Sequence, residues 1–356
     1  MKLRELHIQG FTSIDGERGA SIPFGDVTVL LGANGAGKSN LLLFLHLLKS
    51  IAGQEFSQFV GKYGANRLLF YGSKKTHVIS YTLHFEHGEE KYSYTDRLSY
   101  KLPDGLFREA RVRDNPTDDA FGKAFFDEKY RMDIDTFLSN ICIYQFNDTS
   151  DTSGIRDRIY VDDAKTLRHD AGNLAALLKM LKEHAAYSKY YERIVRHIRR
   201  SMPQFGDFDL QPVPGNKDYV RLNWKDSSGS EYLFDPHQLS DGSLRFMALT
   251  TLLLQPPELL PRFIVLDEPE LGLHPAAIAE LAAMVKMAAQ KTQVLLATQS
   301  PRLVDEFSPD SVVIVERDEK LHGSVFKKLD SEKLAEWLKE YSLSDLWEKN
   351  VLGGQP

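Results

Sequence analysis

The chain has 356 residues, 42% of them hydrophobic and 26% charged, with a formal net charge of -6. That balance fits a globular protein with a sizeable core, excludes long disorder, and gives no global attraction to nucleic acid, so any DNA contact has to come from a local basic patch. One cysteine, Cys142, excludes an intrachain disulfide and a cysteine-built zinc site; in the apolar run Asn140-Ile141-Cys142-Ile143-Tyr144 it reads as a buried thiol.

In chain order, alternation over residues 3–8 and the β-branched run at 26–31 predict two strands leading into a glycine-rich turn, with a helix over about 38–50. Short strand-like runs from His77 to Ala110, broken by Gly88 and Pro103-Asp104-Gly105, predict an antiparallel β-rich arm, extended to about 77–135. Leu174, Leu177, Leu178, Leu181, Ile194, Val195 and Ile198 fall at helical spacing before Pro203 and predict a small helical lobe. A hairpin is expected over 220–234, turning at Asp226-Ser227-Ser228-Gly229, and from Leu239 to about Val315 helix and strand alternate as in a parallel α/β core. The segment 334–354 reads as one or two short amphipathic helices with a Gly-Gly stop. No apolar run reaches the roughly 18–20 residues needed to span a bilayer, and Met1-Lys2-Leu3-Arg4-Glu5 lacks the apolar centre of a signal peptide. A cytoplasmic protein without a membrane partner is the expectation.

Gly32-Ala33-Asn34-Gly35-Ala36-Gly37-Lys38-Ser39 is a complete GxxxxGK[ST] set between a predicted strand and a predicted helix. Such a loop wraps a triphosphate: backbone N–H groups and the helix N-terminus stabilise its charge, Lys38 reaches the β- and γ-phosphates, and Ser39 ligates Mg²⁺. Asn40 closes the candidate nucleotide-contacting stretch. Phe263-Ile264-Val265-Leu266-Asp267-Glu268 is an apolar strand ending in two acids, suited to holding Mg²⁺ (Asp267) and polarising an attacking water (Glu268). Upstream, Leu239-Ser240-Asp241-Gly242-Ser243-Leu244-Arg245 opens an apolar helix, with Ser240 a natural N-cap and Gly242 permitting close approach of a phosphate.

Together with Ala297-Thr298-Gln299-Ser300, these segments resemble ABC-type ATPases of the RecF, SMC and OLD-like branch. Gly37-Lys38-Ser39-Asn40 differs from the GKST usual in transporter ATPases. Tyr144-Gln145-Phe146-Asn147-Asp148-Thr149-Ser150, Glu268-Pro269-Glu270-Leu271-Gly272-Leu273-His274-Pro275 and Leu346-Trp347-Glu348-Lys349-Asn350-Val351-Leu352-Gly353-Gly354 look more closely like stand-alone bacterial ATPases of that branch. The resemblance implies a P-loop NTPase of α/β class, with an ABC-ATPase type core sheet, an antiparallel β arm and an inserted helical lobe. As a single domain over 1–356, its core lobe would take 1–150 and 240–356, and the helical and signature lobe about 151–245. It also implies a homodimer with two composite sites, in which Ser240, Asp241 and Gly242 of one subunit meet the γ-phosphate held by the P-loop of the other. The usual LSGGQ is here LSDGS, and an acid beside a triphosphate predicts weakened closure. Gln145 resembles the glutamine that senses the γ-phosphate through Mg²⁺ or water, or is a plain strand-end residue. Gln299 stands where many relatives carry a histidine; an amide can orient a phosphate but cannot accept a proton as a base, so turnover should be slow. His274 resembles a residue crossing the dimer seam or simply starts a helix, and Phe11 flanks adenine or fills the core.

These features predict an ATP-hydrolysing, Mg²⁺-dependent dimerisation switch serving DNA repair or phage defence, with DNA or a separately encoded effector as partner. The cluster Lys189, Arg193, Arg196, His197, Arg199 and Arg200 either meets nucleic acid backbone or is a solvated helix face. The alternatives are an OLD-type nuclease, for which 312–318 would have to supply acids rather than a last core strand, and a transporter ATPase subunit.

Overall fold

Leu6 and Ile8 alternate as buried residues of the first strand, β1 (Lys2–Gln9), and a register shift between Leu3 and Glu5 accounts for Leu3 being buried although it lies three positions from Leu6. The computed structural model describes residues 1–109, 128–318 and 322–354. The chain forms two compact units, one of residues 1–141 with 307–356, the other of 142–306. The sequence predicts boundaries near 150 and 240 instead; residues 246–306 group with the helical segment.

In the first unit, β2 (Ala20–Pro23) is followed by β3 (Val27–Leu31), whose Val29, Leu30 and Leu31 are buried, and then by α1 (Lys38–Ala52). β4 (Val78–His87), β5 (Glu90–Lys101) and β6 (Gly105–Arg108) extend a five-stranded antiparallel sheet in the order β2-β1-β4-β5-β6. The predicted arm is thus present over 78–108, and it recruits the N-terminal strand. Its buried Asp96 accepts hydrogen bonds from Tyr81 (3.2 Å), Tyr94 (3.0 Å) and Arg108 (2.5 Å), so each of these polar groups is paired. The arm does not continue to 135. Residues 110–127 lie outside the described residues, and 128–135 belong to a helix, α2 (Glu128–Ser139), which buries Ile134, Phe137 and Leu138 at helical spacing and packs on α1.

The second unit begins within β7 (Ile141–Tyr144), which precedes the two helices predicted from spacing, α3 (Leu174–Glu183) and α4 (Ser188–Ser201). Cys142 is half-buried rather than buried. The expected hairpin over 220–234 is replaced. Its first half pairs elsewhere, β8 (Phe205–Asp209) with β9 (Asn223–Asp226), and only a Trp224–Phe234 bridge remains, with those rings stacked 4.3 Å apart. α5 (Asp241–Leu254) is apolar nearly all round and accordingly buried. It leads to β10 (Phe263–Asp267), α6 (Pro275–Ala288) and β11 (Gln293–Thr298); β10 and β11 pair in parallel, and their continuous apolar runs are covered on both faces. β10 lies between β11 and β7.

The chain then returns to the first unit. β12 (Val312–Asp318) pairs in parallel with β3 and antiparallel with β13 (Gly323–Lys328), making 312–318 a core strand. α7 (Leu343–Glu348) anchors itself through buried Leu346 and Trp347. Among the described residues no helix is long and apolar enough to cross a membrane.

Candidate functional site

The loop between β3 and α1 is built on a relay of hydroxyls that the linear motif does not reveal. Asn40 Nδ2 donates to Ser13 Oγ (2.7 Å), Ser13 and Ser324 share a 2.7 Å bond, and Ser324 Oγ donates to Ala36 O (2.6 Å). Each hydroxyl has one hydrogen, so with Ser324 donating to Ala36, Ser13 must donate to Ser324, and the relay has one polarity. Gly37 sits at φ 122°, and a Cβ there would lie 2.1 Å from Ser324 Oγ, so the loop closes on Ser324 only with glycine at this position. Asn40 therefore supports the loop from behind. The C-terminal segment supports it as well, since Gly354 O accepts from Ala33 N (3.2 Å). Lys38 is buried with its Nζ donating to Gly32 O (2.5 Å) and Ala33 O (3.1 Å), while Asn34, Gly35 and Ser39 are exposed. Removing the Ser324 hydroxyl deletes two hydrogen bonds of about 1 kcal/mol each, so Ser324→Ala is expected to weaken ATP binding roughly five- to thirtyfold by calorimetry.

The second unit presents the acids. Asp267 ends β10, and Gln145, just past β7, donates its amide to Asp267 Oδ2 (2.7 Å). Glu268 adopts φ 46°, a strained conformation for a residue with a Cβ, fixed by its N–H donating to Ala297 O (2.8 Å). Its Oε1 accepts from Gln299 Nε2 (2.9 Å). Both glutamines predicted as site residues thus meet the two predicted acids, one each. Glu270 turns inward and accepts from Thr298, while its Oε2 has no hydrogen-bond partner. Burial raises its pKa above the usual carboxylate value, reinforced by the nearby charges of Glu268 and Asp267. With a folded pKa above the unfolded one, the native state is penalised progressively as pH rises from about 4.5 through the raised value. Glu270→Gln is therefore expected to raise the melting temperature at pH 7 and to leave it nearly unchanged at pH 4, by differential scanning fluorimetry.

Ser240 caps α5, accepting from Ser243 N (3.2 Å). Gly242 is small for a reason other than a phosphate: a Cβ there would stand 2.3 Å from Gly272 O, so the start of α5 touches the loop after β10. Arg245 ties the same elements, donating to Phe146 O (2.9 Å), Asn147 O (3.0 Å) and Leu271 O (3.0 Å). Asp241 is paired with Arg156 at 2.8 Å. Neither Arg156 nor these contacts could be read from the motif. His274 is the N-cap of α6, its Nδ1 accepting from Ala276 N (3.3 Å), which is the helix-start role.

The remaining candidates fall in place. Phe11 is fully buried edge-on against Phe44, which makes it a core residue. The basic cluster on α4 is largely engaged within its own unit: Arg193 with Leu254 O (2.6 Å), Arg199 with Gly206 O (2.7 Å), His197 (2.5 Å) and Arg200 (3.4 Å) with Glu280. Among the described residues no group of three or more His, Cys, Asp or Glu could hold a metal.

The glycine-rich phosphate loop before α1 and, separately, the apolar strand ending in two acids are each features of P-loop ATPases of mixed α/β fold. The chain belongs to the family described as AAA domain, putative AbiEii toxin, Type IV TA system, which matches residues 27–305. In structure it is similar to an SMC head bound to the C-winged helix domain of ScpA, with 16% identity and a TM-score of 0.59 over 94% of this chain and all of the other. It is also similar to the SMC head domain of Thermotoga maritima, with 16% identity and a TM-score of 0.52 over 93% of this chain and all of that one. The SMC head of Pyrococcus furiosus, with an extended coiled coil and bound to the C-terminal domain of ScpA, gives 18% identity and a TM-score of 0.55 over 95% of this chain and 98% of that one. No curated protein matches the chain by sequence.

Proposed function

We propose that the protein is an ATP-dependent dimerisation switch of the RecF, SMC and OLD-like branch, hydrolysing ATP slowly. The observation that carries this reading is the pairing of two amides with two acids, Gln145 with Asp267 and Gln299 with Glu268. Each acid of the pair is held by a neutral group able to exchange its hydrogen bond for a phosphate, a metal-bound water or a metal ion.

The donor set fits Mg²⁺. Asp267 and the Ser39 hydroxyl would supply hard oxygen ligands and the side-chain carbonyl of Gln145 a third, as suits a cation that takes few protein ligands and several from water and phosphate. When bound, Mg²⁺ neutralises charge on the β- and γ-phosphates. The backbone amides of 32–39 and Lys38 hold the triphosphate. Glu268, aimed by its fixed backbone and by Gln299, orients and polarises the attacking water. Gln299 serves as a positioning group, and without an imidazole there the rate stays low. Ser240, at the N-terminus of α5, covers the γ-phosphate of a second copy with its backbone N–H groups.

A protein partner suits the engaged charges of α4 better than DNA, and the toxin–antitoxin label of the matched family favours phage defence with a separately encoded effector over repair. The test is light scattering of a Glu268→Gln variant: with ATP and Mg²⁺ the mass should double from 40.5 kDa, and a mass that stays there with bound ATP would overturn the reading.

A further inference from the structure

The acid in the signature segment, Asp241, looks on sequence grounds like a defect, a negative charge beside an incoming triphosphate. The structure gives it a partner. Arg156, whose side chain is only 5% exposed, sends Nη2 to Asp241 Oδ1 at 2.8 Å. Its other donors go to main-chain carbonyls: Nε to Thr149 O (2.7 Å), and Nη1 to Pro236 O (2.6 Å) and Leu239 O (3.2 Å). Leu239 and Asp241 flank Ser240, so one guanidinium grips the chain on both sides of the residue that caps α5. The fourth acceptor, Thr149, lies four residues beyond Gln145, on the segment whose Phe146 and Asn147 carbonyls are held by Arg245 of α5.

We propose that Arg156 is a positioning residue for the γ-phosphate contact: it presets the 239–241 turn, offsets the charge of Asp241, and links that turn to the segment following Gln145. The planar fork fits this task, because five N–H donors in fixed geometry can hold several acceptors that lysine could not span. The Asp241 carboxylate is 61% exposed, so its Coulombic attraction to Arg156 is screened, and the main action is geometric, through the carbonyls. Removing Arg156 then does two things. It releases the turn before Ser240, and it leaves Asp241 uncompensated where a second triphosphate would arrive. This proposal rests on the reading of Ser240 as the residue that meets the nucleotide of a second copy.

The experiment titrates ATP into variants built on the Glu268→Gln background and reads dimer mass by light scattering, with nucleotide affinity of the dilute protein measured separately. Arg156→Met is expected to require at least roughly tenfold more ATP for half-maximal dimer, as for a misplaced binding group. Adding Asp241→Gly to that variant should recover part of the loss, a rescue that an arginine needed only for folding would not show. Should Arg156→Met fail to fold, Arg156→Lys, which keeps the charge and loses the fork, is expected to require several-fold more ATP. Ser240→Arg separates the two levels. If it leaves dimerisation intact, the underlying reading of Ser240 fails. If it abolishes the dimer while the Arg156 variants behave like the parent, or if Asp241→Gly gives no recovery, the proposal for Arg156 is overturned.

Discussion

Lys38→Ala is expected to weaken ATP binding by roughly 30- to 150-fold, the equivalent of losing a buried charge-assisted hydrogen bond of about 2–3 kcal/mol. Lys38 is buried at the mouth of α1, and its ammonium already sits among the carbonyls of Gly32 and Ala33, within the loop that would surround the phosphates. Alanine removes the positive charge without replacing it, whereas the backbone amides of the loop stay in place behind the Ser13–Ser324 relay. The melting temperature should therefore change little while calorimetry shows the affinity weakened to that extent. An affinity retained at the level of the parent would overturn the assignment of the phosphate cradle.

Glu268→Gln separates binding from chemistry. A glutamine can keep the hydrogen bond with Gln299 by turning its carbonyl oxygen toward it, but it cannot polarise water as a carboxylate does. Hydrolysis is expected to fall by about 10²- to 10⁴-fold, the range for loss of a general base, with ATP affinity within a few-fold of the parent. Single-turnover release of phosphate measures the first and calorimetry the second. A variant that hydrolyses ATP at the parental rate would move the water-polarising role away from Glu268.

The elements that were legible in the sequence are those whose signal is local. The strand–loop–helix around 32–39, the apolar strand into Asp267 and the N-cap at Ser240 each combine a periodicity with a motif only a few residues long. What was hidden depends on distant partners. β1 looks like any amphipathic strand until β4 pairs with it. α2 is rich in charge, and the apolar set Ile134, Phe137 and Leu138 is too short to outweigh the strand-like run before it. Asp241 reads as a liability because Arg156 stands 85 residues away, and Asn40 reads as a ligand because the Ser13–Ser324 bond spans 311 positions. Gly242 reads as a place for a phosphate to approach because its neighbour in space, the carbonyl of Gly272, is thirty residues away in the chain.

The central claim is that two copies share each nucleotide, and mixing two inactive variants tests it. Lys38→Ala lacks the cradle and Ser240→Arg lacks the cap, so each alone should be inactive. In a mixed dimer one of the two sites carries an intact Lys38 from one copy and an intact Ser240 from the other. An equimolar mixture with ATP and Mg²⁺ should regain about a quarter of the parental hydrolysis rate, as random pairing in a two-fold dimer requires. A mixture no more active than its components, at concentrations where mixed dimers are seen to form, would contradict a shared site.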